Sequence, residues 1–180
     1  MKVTEINLKG IFVIEPRVFG DGRGSFFESF NQKSFKEKTG LKINFVQDNQ
    51  SLSQKGVVRG LHIQQGKFAQ TKLVRVIQGK QDVVVNVGKN SETFGQSFSC
   101  LLSSENNKQL FISKGFLHGF SVLEDATIFA YKCDQYYNKE SEDGVVFNDK
   151  DLNIDWMIDE NEMILSEKDL KMKRFKEYCI

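Results

Sequence analysis

A chain of 180 residues suits one domain that buries about 70% of the surface its unfolded form exposes, so no second core is expected. With 39% hydrophobic residues, 27% charged residues and a formal net charge of +1, the composition is that of a globular protein without a polyanion-binding signature, which argues against a nucleic-acid partner. Residues 1–8 hold no apolar run suited to a signal peptide, no 18-residue apolar stretch follows, and Cys100, Cys133 and Cys179 lie far apart outside any Cys-x-x-Cys pattern; the expectation is a cytoplasmic protein with no membrane span, disulfide framework or zinc site.

Sixteen phenylalanines and many short β-branched runs point to sheet. In chain order, strands are predicted at 11–15, 25–28, 43–47, 57–64, 72–78, 82–87, 96–102, 109–112, 119–123 and 127–133. Gly20-Asp21-Gly22, Gln78-Gly79-Lys80, Gly88-Lys89-Asn90 and Glu124-Asp125 supply turn chemistry between antiparallel strands. Many short strands at this spacing predict a sandwich or barrel. Helix is predicted twice: Asn31 caps a segment running through Phe35 to Lys38 and closed by Gly40, and Ser166-Glu167-Lys168-Asp169 has the form of a capping box. The basic tail over 168–176 reads as the solvated face of a short helix.

The stretch Gly56-Val57-Val58-Arg59-Gly60-Leu61-His62-Ile63-Gln64 is strand-like yet carries polar residues that are costly to bury without partners. Its inward face is therefore expected to line a cavity. Plain alternation puts Gly60, His62 and Gln64 on one face and Arg59, Leu61 and Ile63 on the other. A bulge at Gly60 would turn Arg59 towards the same cavity as His62.

The chain has two histidines, His62 and His118. Metal sites in β-barrels commonly use His-x-His with further ligands; His62-Ile63-Gln64 offers an amide in the second place, so no metal is expected. A general base is the better role for His62, since imidazole titrates near neutrality; a structural histidine held by hydrogen bonds is the alternative. Lys72 opens one strand and Tyr131 lies in another. Singly they read as rim and packing residues, whereas beside a base they form a set for reaction next to a carbonyl: an ammonium for an oxyanion and a phenol to donate a proton. Asp169 has two readings, helix cap and carboxylate that orients His62. Arg23, among glycines in Gly20-Asp21-Gly22-Arg23-Gly24, reads as a phosphate ligand or as part of a surface turn.

Taken in order, the motifs carry a resemblance. Over roughly residues 11–171 the chain resembles the dTDP-4-dehydrorhamnose 3,5-epimerases, through Phe19-Gly20-Asp21-Gly22-Arg23-Gly24, Phe26-Phe27-Glu28-Ser29-Phe30, Phe45-Val46-Gln47-Asp48-Asn49, Arg59-Gly60-Leu61-His62, Lys72-Leu73-Val74, Ser91-Glu92-Thr93-Phe94-Gly95, His118-Gly119-Phe120, Tyr131-Lys132, Tyr136-Tyr137-Asn138 and Leu165-Ser166-Glu167-Lys168-Asp169. The resemblance implies an all-β, cupin-type jelly roll with short flanking helices, forming a single domain over residues 1–180 whose C-terminal segment from about residue 150 packs onto the barrel. It implies a homodimer with exchanged N-terminal strands. The implied substrate is dTDP-4-dehydro-6-deoxy-D-glucose, epimerised at C3 and C5 to dTDP-4-dehydro-L-rhamnose without metal or other cofactor. His62 would be the base, oriented by Asp169, with Lys72 beside the enolate oxygen and Tyr131 as proton donor. Arg59 would contact the diphosphate and Arg23 the neighbouring subunit's ligand; Glu28, Gln47 and Asn49 would bind the nucleotide, and His118 and Tyr137 would line the sugar pocket. A single-carbon epimerase and a non-catalytic nucleotide-sugar binding module are the alternatives. The chain departs from the family pattern at Asn86 and Gly88, where an acid and an arginine are usual, at Lys114 in place of proline, and at Leu117 in place of alanine.

Overall fold

The computed structural model describes residues 1–87 and 93–178, with the backbone alone over 82–87. Gly88, the turn through Lys89 and Asn90, Ser91-Glu92 and Cys179 lie outside the described residues. The strands are β1 (Lys2–Glu5), β2 (Ile11–Glu15), β3 (Phe19–Asp21), β4 (Gly24–Phe26), β5 (Gln47–Ser53), β6 (Val58–Gln64), β7 (Lys72–Gln78), β8 (Lys80–Val87), β9 (Ser97–Ser103), β10 (Gln109–Ile112), β11 (Phe116–Val122), β12 (Thr127–Cys133) and β13 (Glu142–Gly144); the α-helices are α1 (Gln32–Thr39), α2 (Glu167–Leu170) and α3 (Phe175–Tyr178).

Two antiparallel sheets face each other, one in the order β1-β2-β10-β7-β12-β5 and the other β13-β6-β11-β8-β9, with β3-β4 a separate hairpin. From β5 onward the chain repeatedly crosses between the two sheets, the winding of a cupin-type jelly roll. Period-two alternation divides the apolar residues of each strand between two environments. Val74, Leu110, Phe120, Val122 and Phe129 meet between the sheets. Their neighbours Leu73 and Phe111 point outward beside Phe12 and Ile14 of the same sheet, where Phe35 of α1 covers them. On the far side of the other sheet, Val58, Leu61, Ile63 and Leu117 pack under Leu152, Trp156, Phe175 and Tyr178 from the C-terminal segment. The buried indole donates its N–H to the Phe147 carbonyl at 2.8 Å, so its one polar atom is satisfied.

Helix α1 forms where the caps predict it. Asn31 Oδ1 accepts from the Ser34 N–H at 3.1 Å, and Gly40, at φ 74°, closes the helix with its N–H donating to the Lys36 carbonyl. Phe35, 2% exposed, is the helix residue buried against the sheet.

The strands rich in apolar residues stand where they are predicted, at 11–15, 72–78, 109–112 and 127–133. The prediction at 43–47 is displaced: β5 starts at Gln47 and runs to Ser53. Ile43 and Phe45 are anchors in irregular chain beside Phe30 and Phe35, whereas β5 alternates polar residues because its inner face lines a cleft. The strand at 25–28 is the second half of a short hairpin, β3-β4. Strand β11 begins three residues earlier than predicted, and β1 and β13 lie at sheet edges with exposed or polar sequences that carry no apolar alternation. Lys114, the departure from proline, is engaged by Asp134 at 3.1 Å. Leu117 is fully buried under the C-terminal layer, and Asn86 lies in β8, where only its backbone pairing with Leu117 and Ser97 is described.

Candidate active site

The polar stretch in β6 does not alternate regularly. His62 faces His118 in register and Arg59 faces Phe120, so three steps along β6 match two along β11. The extra residue is a β-bulge, and Gly60 within it has φ 128°. Val58 and Leu61 therefore both face the C-terminal layer, while Arg59 and His62 line one cleft. Gly60 and Gly119 meet backbone to backbone: a Cβ on Gly60 would lie 2.6 Å from the Gly119 Cα. No larger residue fits that crossing.

The cleft, of about 340 Å³, opens between the sheets. One wall carries Arg59, His62 and His118 from β6 and β11; the other carries Asn49, Ser51, Lys72 and Tyr131 from β5, β7 and β12. Asp169 lies behind His62. Its Oδ1 is 2.8 Å from His62 Nε2 and accepts the Gly60 N–H at 3.1 Å, while Oδ2 accepts the Ser166 hydroxyl at 2.5 Å. Burial works against ionising Asp169, but His62, Ser166 and Gly60 together outweigh it and hold the carboxyl at about 2. Asp169 is therefore the partner of His62, while the cap of α2 is Ser166, whose Oγ accepts the Asp169 N–H.

Burial draws Lys72 below the ordinary lysine range, with Cys133 and Glu142 opposing. Its ammonium lies 5.9 Å from the centre of the Tyr131 ring. Burial, Cys133 and Glu142 push the Tyr131 phenol up against the opposing effect of Arg59, so it is protonated at neutral pH. Burial first, then Lys72 and His62, holds His118 well below the usual imidazole value; it is a neutral ring stacked on Phe129, and its Nε2 has no partner among the described residues.

At the rim a continuous hydrogen-bond chain joins three other predicted residues. Gln47 Nε2 donates to Asn49 Oδ1 at 3.0 Å, the Tyr137 N–H donates to Gln47 Oε1 at 3.1 Å, and the Tyr137 hydroxyl donates to Glu142 Oε2 at 2.9 Å. Glu142 also pairs with Lys168. Burial opposes ionisation of Glu142, yet Lys168 and Tyr137 bring its carboxyl below the ordinary value. Glu142 and Lys168 line the cleft and escape a sequence reading, since one precedes an Asp-Gly turn pair and the other sits in a basic tail. The nearest signal was the position of Lys168 directly before Asp169.

Arg23 and Glu28 are not brought to this cleft. Arg23 is exposed at the β3-β4 turn and paired with Asp21 at 2.6 Å; Glu28 accepts from Asn31 Nδ2 at 2.9 Å. Among the described residues no group of three or more His, Cys, Asp or Glu side chains is placed to hold a metal ion, and no helix is long and apolar enough to cross a membrane.

The winding of the two sheets and the cleft between them place the chain among the cupin-type jelly rolls, a class sharpened by comparison with known proteins. A family model described as dTDP-4-dehydrorhamnose 3,5-epimerase matches residues 5–177. The dTDP-4-dehydrorhamnose 3,5-epimerase of Shigella flexneri is 47% identical, covering 97% of this chain and 96% of the relative. Among solved structures, the corresponding protein of Elizabethkingia anophelis NUHP1 is 52% identical with a TM-score of 0.94, over 98% of this chain and 97% of that one. The dTDP-6-deoxy-D-glucose-3,5-epimerase of Legionella pneumophila Philadelphia 1, solved in complex with dTDP-4-keto-L-rhamnose, is 45% identical with a TM-score of 0.91, covering 97% and 93%. The chain belongs to the dTDP-4-dehydrorhamnose 3,5-epimerase family.

Proposed function

We propose that this chain inverts C3 and C5 of dTDP-4-dehydro-6-deoxy-D-glucose to give dTDP-4-dehydro-L-rhamnose. The observation that carries the proposal is the His62–Asp169 pair on one wall of the cleft with a protonated Tyr131 on the other. His62 takes a proton from the carbon beside the C4 ketone, and the electron pair moves onto the ketone oxygen as an enolate. The Lys72 ammonium, in water-poor surroundings, stabilises that oxygen more strongly than it would in water. Tyr131 returns a proton from the opposite face, which inverts the carbon; solvent exchange then restores imidazole and phenol for the next carbon. The substrate's own ketone takes up the electrons, so the reading calls for no cofactor. His118 offers its unpartnered Nε2 to a sugar oxygen. Arg59, in contact with Phe120 but without an ion pair among the described residues, suits a diphosphate; Gln47 and Asn49 suit the nucleotide, and Tyr137 the sugar pocket.

Arg23 and Glu28 belong to the same reading through a homodimer with exchanged N-terminal strands, in which the hairpin serves the neighbouring subunit's cleft. In support, Arg23 stands away from its own cleft, with Phe19 and Phe26 exposed beside it, and β1 is a sheet-edge strand.

Incubation with the keto sugar in D₂O tests the function: deuterium is expected at both C3 and C5. Incorporation at one carbon alone would identify a single-carbon epimerase, and none at all a binding module. His62→Ala is expected to keep dTDP binding and lose exchange; rapid exchange by this variant would refute His62 as the base.

A further inference from the structure

Helix α2 is four residues long, and its N-cap, Ser166, is bonded to Asp169 in both directions. The Asp169 N–H donates to Ser166 Oγ at 3.2 Å, and Ser166 Oγ donates to Asp169 Oδ2 at 2.5 Å. Gly60 and His62 take up the other oxygen. Each carboxylate oxygen thus has its own anchor, one on the helix cap and one on β6. The preceding chain is tied to the same strand, because the Ile164 N–H donates to the Gly56 carbonyl at 2.8 Å and the Val58 N–H to the Ile164 carbonyl at 3.1 Å. The cap therefore sits in a fixed place relative to His62.

We infer that Ser166 is a positioning residue of the proton-abstracting pair, its hydroxyl setting the orientation of Asp169 and through it the plane of the His62 ring. The inference rests on His62 being the base. The charged and titratable groups facing the pair are His118 from β11, Lys72 from β7, Tyr131 from β12, Glu142 from β13, Lys168 from α2 and Arg59 from β6 itself. None of them donates to Asp169 Oδ2 among the described residues; Ser166 does.

Removing the hydroxyl has two separable effects. The carboxylate loses an anchor, so the ring is held in the productive geometry less of the time. It also loses a donor, so it draws an imidazolium more strongly and the protonated, inactive base persists to higher pH. For Ser166→Ala the expectation is roughly a 10-fold lower kcat with KM nearly unchanged, and an acid limb of the rate profile moved up by roughly half a pH unit. Ser166→Gly removes the hydroxyl while leaving a residue that helix N-caps accept, so it should show the same kinetics with a melting temperature close to the parent's. Ser166→Thr should restore both kinetic values. A residue that only caps α2 would lower the melting temperature and leave the acid limb in place. The inference is overturned if either the kcat loss or the limb shift is missing from both the Ala and Gly variants. His62→Ala, assayed alongside for solvent exchange, reports separately on the base: exchange at the parent rate would remove the reading on which the inference rests.

Discussion

Gly60→Ala is the most direct test of the geometry that unites Arg59 and His62. Two costs arise. The φ of 128° is a conformation that side-chain-bearing residues adopt at a cost of about 1–3 kcal/mol. The new methyl would also lie 2.6 Å from the Gly119 Cα and 3.1 Å from the His118 carbonyl oxygen. Those are backbone atoms in a paired strand, with no side chain to rotate aside, and overpacking of this kind costs about 1–3 kcal/mol more. The sum, about 4 kcal/mol, is a large part of the 5–15 kcal/mol typical of a whole domain. Gly119→Ala separates the two costs. Its Cβ would meet the Arg59 carbonyl oxygen at 2.8 Å and the Trp156 ring at 2.9 Å, with no unusual φ, so only the contact cost applies, about 2 kcal/mol. Urea denaturation can be followed through Trp156, the only tryptophan and a buried one, with solvent exchange of substrate protons measured in parallel. Gly60→Ala should lose about twice as much stability as Gly119→Ala and most of its exchange activity, since β6 must move to relieve the contact. Parent-like stability and exchange in Gly60→Ala would refute the close crossing of the two strands and the bulge built on it.

The depressed carboxyl of Asp169 makes a prediction about acid. A group at about 2 when folded and about 3.9 when unfolded contributes on the order of 2 kcal/mol, present in full above about pH 4 and lost as the pH falls towards 2. Denaturant titrations between pH 5 and 2 should therefore show the parent losing about that much relative to Asp169→Asn; parallel curves would mean the carboxylate is not held as described. Phe35→Ala should cost about 3–5 kcal/mol, because the ring lies against Phe111 at 4.9 Å and Phe30 at 6.0 Å between α1 and the sheet. Since that layer is on the outer face, dTDP affinity below the melting temperature should change little, and an affinity lost together with stability would place the helix in the site.

How much of this could be read in advance depended on what each side chain faces. Strands β2, β7, β10 and β12 were legible because they carry short apolar runs, buried on both faces in β2 and β10, and α1 because both of its caps are local. Strand β5 was displaced in the prediction for the converse reason: Asn49 and Ser51 face a cleft, so the strand lacks the pattern by which strands are recognised. The motif set was readable through resemblance and named His62, Lys72, Tyr131 and Asp169, while Glu142 and Lys168 had no local feature that set them apart from turn and surface residues.

By itself the sequence determined the periodicities, the caps, the family and the presence of a glycine where β6 changes face, since each depends on residues near one another or on a recognisable order of motifs. Only the tertiary structure decided that Asp169 meets Gly60 across 109 positions, that its cap and its histidine share one carboxylate, and that Tyr137, Glu142 and Lys168 close one rim. Those contacts depend on the path of the folded chain, where crossings between two sheets and a C-terminal layer bring together groups whose separation in sequence carries no distance information. Arg23 and Glu28 mark the same limit, because the folded chain does not bring them to its own cleft.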